Sequence, residues 1–500
     1  MNLPAFVWLI LVPAIFSAAS YLIGRIVRRP ALWYLPYATA LVGLVAAWVP
    51  FGLAAAQLLS GAASEYRYGT ISLRLDGLSL LLSALVLGLG TLATLYSGPY
   101  LARESGQEKF YAMLLLMISM IVGLSCATDL FNLWMWFEAM AVTSYLLVAF
   151  YREQPASLEA GFKYLVQNAA GSVLVVVGIG LVFAATGSLD LAGIRAAAVP
   201  STLLLAAGAL FVIGFGVKTA LVPMHTWLPD AHSQAPSGIS AMLSCVVIEA
   251  GLVAMLRAVG ALFGASPAWY VLLIGFGTLN MLVGNLMALR QKQVKRLLAY
   301  SSVAQIGYML LGLGIAFYSG QIGGAQGGVF HLFNHGLMKG LAFLSCGVML
   351  YALHIAVGSH DPLTVDDLAG AARRYPLAAL TLSLAVLGLG GLPPLAGFMS
   401  KWQIFVAGFE TGNPWMEWLV IFAALNSVLS LAYYVPLVNA MYRLEPSARV
   451  KTGARMPSLM GIPLIVLAAG VIMLGVWPSL ANGLTLPAAR VLLASMGLWH

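Results

Sequence analysis

Fourteen apolar runs, separated by loops of at most about 26 residues, restrict this chain to one class of fold. The runs cover roughly residues 3–24, 31–59, 77–97, 110–128, 131–150, 160–186, 202–221, 238–258, 268–289, 297–316, 328–350, 377–408, 418–442 and 457–479. Each is long enough to cross the roughly 30 Å of hydrocarbon in a bilayer. Backbone in lipid must satisfy its own hydrogen bonds, and a helix does so within one segment. The expected fold is an all-α polytopic membrane protein of about 14 transmembrane helices, a single membrane domain over residues 1–500. Only 8% of the residues are charged, against about 25% in soluble domains. No loop is long enough to form a separate soluble domain. Arg25, Arg28 and Arg29 follow the first apolar run instead of preceding it, so that run reads as a membrane helix and not a cleavable signal.

The net charge of +8 is spread over short loops, with no basic patch of the kind that holds nucleic acid. Loop position explains it better. With the N-terminus outside, sixteen of the 25 Lys and Arg residues fall in inner loops, Lys295 among them. Five fall outside, namely Arg67, Arg74, Arg195, Arg257 and Arg490, and four lie within spans. A miscounted span would invert every later loop and destroy this bias. An even number of spans places both termini on the outer, periplasmic or extracellular, side of a cell inner (plasma) membrane.

The four lysines within spans are Lys163, Lys218, Lys339 and Lys401. Lys218 lies just before a stretch broken by Pro223, Pro229 and Pro236, which also carries His225, Asp230 and His232. Irregular backbone at membrane depth is tolerated only where protein or a water-filled cavity covers it. A lysine near the bilayer centre costs roughly 2.5–3.5 kcal/mol on insertion scales. The two together imply an ion or proton path. Gly388–Gly397 interrupts the twelfth span in the same manner, with Lys401 just beyond. Two such interruptions five spans apart suggest inverted repeats, spans 4–8 (residues 110–258) matching spans 9–13 (residues 268–442).

Other buried charges supply partners for the lysines. Asp129 suits a helix N-cap, whereas Glu138 lies two turns deeper, among Trp134, Trp136 and Phe137. Glu249 sits well inside the eighth span, and carboxylates at that depth are by default functional. His331, His335 and Lys339 follow one another at intervals of four and so share one helix face. Three titratable groups on one face suit a proton relay. A metal site is the weaker reading, since no carboxylate stands nearby in sequence to complete it. Lys163 either belongs to the path or extends its amine to the membrane surface. His225, Asp230 and His232 either gate the path from the inside or cap the broken helix. Tyr300, Ser301, Ser302, Gln305 and Tyr308 either hold water in a half-channel or bind helices together.

Cys126, Cys245 and Cys346 stand alone within apolar runs, without metal-ligand or redox spacing. The sequence contains no phosphate-binding loop, dinucleotide fingerprint, HExxH or haem-attachment motif. No cofactor is expected in this chain.

The stretches DLFNLWMWFEAM, GVKTALVPMHTWLPDAHSQAPSGISAML, KRLLAYSSVAQIGYML, HLFNHGLMKGLAFL and GLPPLAGFMSKW span roughly residues 125–405. In them the chain resembles the antiporter-like subunits shared by respiratory complex I, Mrp-type cation/proton antiporters and membrane-bound group 4 hydrogenases. The resemblance implies a proton-conducting subunit, with possible Na+/H+ exchange, working beside other membrane subunits that include homologous antiporter-like chains. It implies broken seventh and twelfth helices, Glu138 with Lys218 as a first charged pair, Lys339 with His331 and His335 as a central relay, and Lys401 as the outer terminus. Two positions depart from the family pattern: Glu249 stands where a lysine or histidine is usual, and Gln293 where an acid precedes KRLLAYS. Glu249 is expected to pair with Lys218 or Lys339. The alternatives are a self-contained Na+/H+ antiporter and a spacer subunit whose path is inactive.

Overall fold

The computed structural model describes residues 3–27, 32, 34–61, 64–443 and 445–498. Arg28 and Arg29, assigned above to the inner side, and Ala31, the first residue of the second expected span, lie outside them.

In chain order the described helices are α1 (Ala5–Ile26), α2 (Leu35–Leu59), α3 (Gly77–Tyr100), α4 (Gln107–Cys126), α5 (Leu130–Val148), α6 (Pro155–Thr186), α7 (Leu191–Ala197), α8 (Thr202–Lys218), α9 (Trp227–Gln234) and α10 (Ser237–Met242). There follow α11 (Ile248–Ala261), α12 (Trp269–Ala288), α13 (Val294–Ser319), α14 (Ile322–Leu353), α15 (Pro376–Gly390), α16 (Ala396–Phe409), α17 (Pro414–Arg443), α18 (Ala448–Thr452), α19 (Ser458–Val476) and α20 (Asn482–Ser495). Among the described residues eleven helices are long and apolar enough to cross a membrane, with α10 and α11 counted as one. The chain is thus a polytopic, predominantly helical membrane protein. The other expected spans correspond to α5 and to the two interrupted helices, α8 with α9 and α15 with α16.

Local chemistry fixes the helix ends. Asp76 and Asp129 each accept a hydrogen bond from the backbone N–H three residues on, capping α3 and α5, so Asp129 plays the capping part expected of it. Gly187 and Gly320 end α6 and α13 in the left-handed conformation that glycine adopts without strain.

The core lies along α13, α14 and the α10–α11 unit. In the unit and in α13 the apolar stretch is buried throughout, and α1 and α2 lie at the edge. Small residues bring α12 and α13 together: a Cβ on Gly307 would lie 2.5 Å from the Gly277 carbonyl oxygen, and one on Gly284 2.6 Å from the Ala304 nitrogen.

Both helix interruptions are closed by side chains from neighbouring helices. At the first, Asn280 of α12 accepts from Val222 N at 2.8 Å and donates to Ala220 O at 3.1 Å. At the second, Gln305 donates to Leu389 O at 3.0 Å, Ser427 to Gly390 O at 2.9 Å and Asn334 to Ala396 O at 2.9 Å. The backbone groups freed by the breaks are thereby paired with protein, as an interrupted membrane helix requires.

Three placements correct the expectations. A two-stranded antiparallel hairpin, β1 (Glu65–Tyr68) with β2 (Ile71–Arg74), interrupts the all-helical pattern between α2 and α3. Arg257 lies inside α11 and not in an outer loop, 8% exposed and ion-paired to Asp76. Lys295 lies inside α13, 5% exposed, and donates to Ala235 O at 2.5 Å. Beyond the last expected span, α20 packs on α3 and α14 of this chain, with Pro487 close against Gly77.

Candidate functional site: a buried line of titratable groups

Lys218 is the last residue of α8, where the helix stops, and it is fully buried. Its Nζ donates to Tyr164 OH at 2.5 Å and to Ser144 Oγ at 3.2 Å, and it lies 4.5 Å from the centre of the Tyr164 ring. Tyr164 is held flat against Trp227 of α9, with ring centres 3.9 Å apart. The far side of the break therefore fixes the group that receives the amine. The expected first pair is not a direct ion pair, because Ser144 and Tyr164 occupy the hydrogen-bonding positions. Phe137, which precedes Glu138, has its ring centre 5.8 Å from Lys218 Nζ, and Glu138 Oε1 has no hydrogen-bond partner among the described residues.

Glu249 follows a π-helical turn, Leu243–Val247, that joins α10 to α11. Such turns often occur at functional positions because they rotate the following side chains out of regular register. Here Glu249 faces α14. Its Oε1 lies 2.8 Å from His335 Nδ1, and both side chains are fully buried. This corrects the expected pairing with Lys218 or Lys339: the histidine, not a lysine, meets the carboxylate. Lys218 nevertheless runs close by, since a Cβ on Gly251 would lie 3.1 Å from Lys218 Cβ.

The four-residue spacing of α14 does bring its three groups to one buried side. Lys339 Nζ donates to Leu298 O at 2.7 Å and Ser301 Oγ at 2.6 Å, and Ser301 is in turn hydrogen-bonded to Tyr434. His331 joins Gln305 Oε1 at 3.0 Å to Ser400 Oγ at 2.9 Å, one ring nitrogen to each. Ser400 precedes Lys401, whose Nζ donates to Leu389 O and Ser427 Oγ, both at 2.8 Å, and lies 4.2 Å from the centre of the Tyr308 ring. A cavity of about 550 Å³ beside Lys401 is walled by Trp402, Phe405, Val428 and Leu431.

Lys163, His225, Asp230 and His232 separate into two pairs. Lys163 and Asp230 are at the surface: Lys163 is 3.2 Å from Asp230 and 2.7 Å from Glu159, and Arg296 also binds Asp230. His225 and His232 are buried. His232 is stacked on Phe343 at 4.6 Å, and neither ring nitrogen has a partner among the described residues. Among those residues no group of three or more His, Cys, Asp or Glu side chains is gathered for a metal ion. The three cysteines are buried and free.

The family described as "NADH:quinone oxidoreductase/Mrp antiporter, TM" matches residues 127–430, more than half the chain, a stretch that holds Glu138, Lys218, Glu249, His331, His335, Lys339 and Lys401. The chain belongs to this family. A second family, "NADH-Ubiquinone oxidoreductase (complex I), chain 5 N-terminus", matches residues 69–111. The chain is 33% identical to F(420)H(2) dehydrogenase subunit N of Methanosarcina mazei over 87% of its own length and 88% of that protein. It is 34% identical to NADH-quinone oxidoreductase subunit N of Desulfitobacterium hafniense, covering 70% of this chain and 72% of that one. In three dimensions it superposes, with a TM-score of 0.85 and 28% identity, on a chain of the membrane-bound sulfane sulfur reductase, an archaeal respiratory membrane complex. That match covers 98% of this chain and 99% of the other.

As a member of this family the chain has partners for its lysines that no motif marked. Ser144 and Tyr164 around Lys218, and Ser427 around Lys401, carry ordinary residue types for membrane helices. The Asp76–Arg257 pair was hidden because its members are 181 residues apart in sequence. The signal available was their depth, as Arg257 lies near the end of an apolar run.

Proposed function

We propose that the chain is a proton-translocating, antiporter-like membrane subunit of a larger respiratory-type complex. One observation carries this reading: of Glu138, Lys218, Glu249, His331, His335, Lys339 and Lys401, titratable groups carried by membrane helices, six of the seven are fully or almost fully buried. Isolated buried charges are expensive, and such a series is retained where protons or ions move. Several polar atoms on this line, Glu138 Oε1, Glu249 Oε2 and His335 Nε2 among them, have no hydrogen-bond partner among the described residues, which suits a path that takes up water and protons.

In this reading Lys218 and Lys401, each beside a helix interruption, are the terminal stations, and the Glu249–His335 pair links Lys218 to Lys339. His225 and His232 control access from the inner side, with Lys163 and Asp230 at its mouth. A small cleft lined by Ser233, Gln234, Lys295, His360 and Asp361, with about 30 Å³ of space for water, lies near this mouth. Fourteen crossings, inverted repeats over residues 110–258 and 268–442, and both termini on the outer side of a cell inner membrane complete the arrangement. The chain carries no cofactor of its own in this account. Moving a charge against about 100 mV requires about 2.3 kcal/mol, which redox partners or an ion gradient supply.

The test is Lys218→Ala in the assembled complex, read as dye quenching in inside-out vesicles. Coupled transport is expected to vanish while the complex stays assembled. Pumping at the unaltered rate removes Lys218 from the mechanism, and full activity of the purified single chain in proteoliposomes favours a self-contained antiporter.

A further inference from the structure

Away from the buried line, a long groove opens where the loop before α4 meets the loop between α5 and α6. It is lined by the end of α5, the start of α6 and the first turns of α4, and its space amounts to about 2020 Å³ including its open mouth. The groove has two kinds of wall. Phe110, Met113, Leu146, Phe150 and Leu158 form an apolar flank, of which Leu146 and Leu158 are 49% and 48% exposed. The rim is ionic: Lys109 and Arg152 on one hand, Glu104, Glu108 and Glu153 on the other.

We infer that this groove holds a single zwitterionic aminophospholipid, its phosphate toward Lys109 and Arg152 and its ammonium toward the carboxylates. The apolar flank continues the lipid-facing surface of α5 and α6, so an acyl chain can lie along Leu146 and Leu158 without a step. The ionic rim stands at the level where head groups sit, at the ends of membrane helices. Arginine and lysine are the side chains suited to phosphate oxygens, arginine in two-pronged fashion. Neither Lys109 nor Arg152 forms an ion pair within 4.0 Å inside the described chain, whereas Glu104 is engaged with His360 at 4.0 Å. A purely anionic lipid suits the site less well, because three carboxylates share the rim with two cations. A head group carrying both signs satisfies both.

The experiment uses the whole complex, purified in mild detergent and exchanged into nanodiscs of equal parts phosphatidylethanolamine and phosphatidylglycerol. Lipid retained on this subunit is read by native mass spectrometry after the subunit is released. The unaltered subunit is expected to retain one phosphatidylethanolamine in preference to phosphatidylglycerol. The double variant Lys109→Gln/Arg152→Gln is expected to retain about tenfold less, the factor that loss of one charge-assisted hydrogen bond produces. Glu153→Gln, which spares the phosphate side, is expected to shift the preference toward phosphatidylglycerol. Equal retention by the double variant, a preference for phosphatidylglycerol in the unaltered subunit, or protection of the groove by a neighbouring subunit in cross-linking would each overturn the assignment. Proton transport does not enter these readouts, so they are independent of the proposed function.

Discussion

Replacing Glu249 by glutamine isolates the electrostatic part of the Glu249–His335 contact. The amide is the same size as the carboxylate and keeps an acceptor oxygen for His335 Nδ1, so no cavity is created; its NH2 takes the position of Oε2, which has no hydrogen-bond partner among the described residues. What disappears is the attraction a carboxylate would exert on a protonated His335, worth about 6 kcal/mol at their separation of 2.8 Å and an effective dielectric constant of about 20. Both side chains are fully buried, so salt and water screen this little. If protons cross the chain by charging His335, loss of even a quarter of that attraction slows the step about tenfold, at about 1.4 kcal/mol per factor of ten. The assay is initial proton-pumping rate per electron in inside-out vesicles, with subunit content checked by blotting. We expect at least about a tenfold loss in Glu249→Gln. We also expect no rescue in Glu249→Lys, which sets a second cation against the histidine. Transport at the unaltered rate in Glu249→Gln refutes the role given to the pair and leaves the carboxylate a bystander.

Two further outcomes test the frame around the path. Asp76→Asn keeps the cap on α3 but leaves the Arg257 guanidinium buried without a counter-charge; such losses cost about 3–5 kcal/mol, and the bond from Arg257 to Ser125 O at 2.6 Å should hold the effect near the lower end. Thermal unfolding of the complex in detergent should show a clear fall, and an unchanged midpoint removes the pair from the account of stability. In Gly397→Ala the new methyl would lie 2.0 Å from the Gly388 carbonyl oxygen, so α15 and α16 can no longer meet as they do and assembly or transport should fail; normal assembly with normal pumping contradicts the close approach.

Much of this site was visible in the sequence because lipid removes ambiguity. A lysine within an apolar run has few reasons to be there, and Lys218, Lys339 and Lys401 are all buried as their setting required. The i, i+4 spacing of His331, His335 and Lys339 fixed their common face, and the prolines and glycines marked both interruptions. What stayed hidden were relations between helices. Asn280, which closes the first break, looks like any polar residue in its span, and only its contacts with Ala220 and Val222 reveal its task. The partner of Glu249 was misjudged for the same reason. Its neighbour depends on how α11 is rotated, and that rotation is set by the π-helical turn at Leu243–Val247, which no pattern of apolar residues disclosed.

That rotation gives the line of charges its asymmetry. Lys218, Lys339 and Lys401 are all held by neutral oxygens: a tyrosine and a serine, a carbonyl and a serine, a carbonyl and a serine. Two of them also lie over tyrosine rings, Lys218 at 4.5 Å and Lys401 at 4.2 Å, contacts that stabilise a cation without supplying a full counter-charge. An amine so placed can be charged or neutral without leaving an opposite charge stranded beside it. At Glu249 and His335 the line brings a carboxylate and an imidazole into hydrogen-bonding contact, so that the state of one changes the energy of the other directly. A lysine at position 249 would extend the series of cations, each repelling the next. In the proposed path the glutamate instead provides a place where an excess proton would be drawn inward, between the stations assigned to Lys218 and Lys339. On that proposal, direction depends on which neighbour is charged when the pair releases its proton, a choice that would rest with the geometry of α8, α11 and α14.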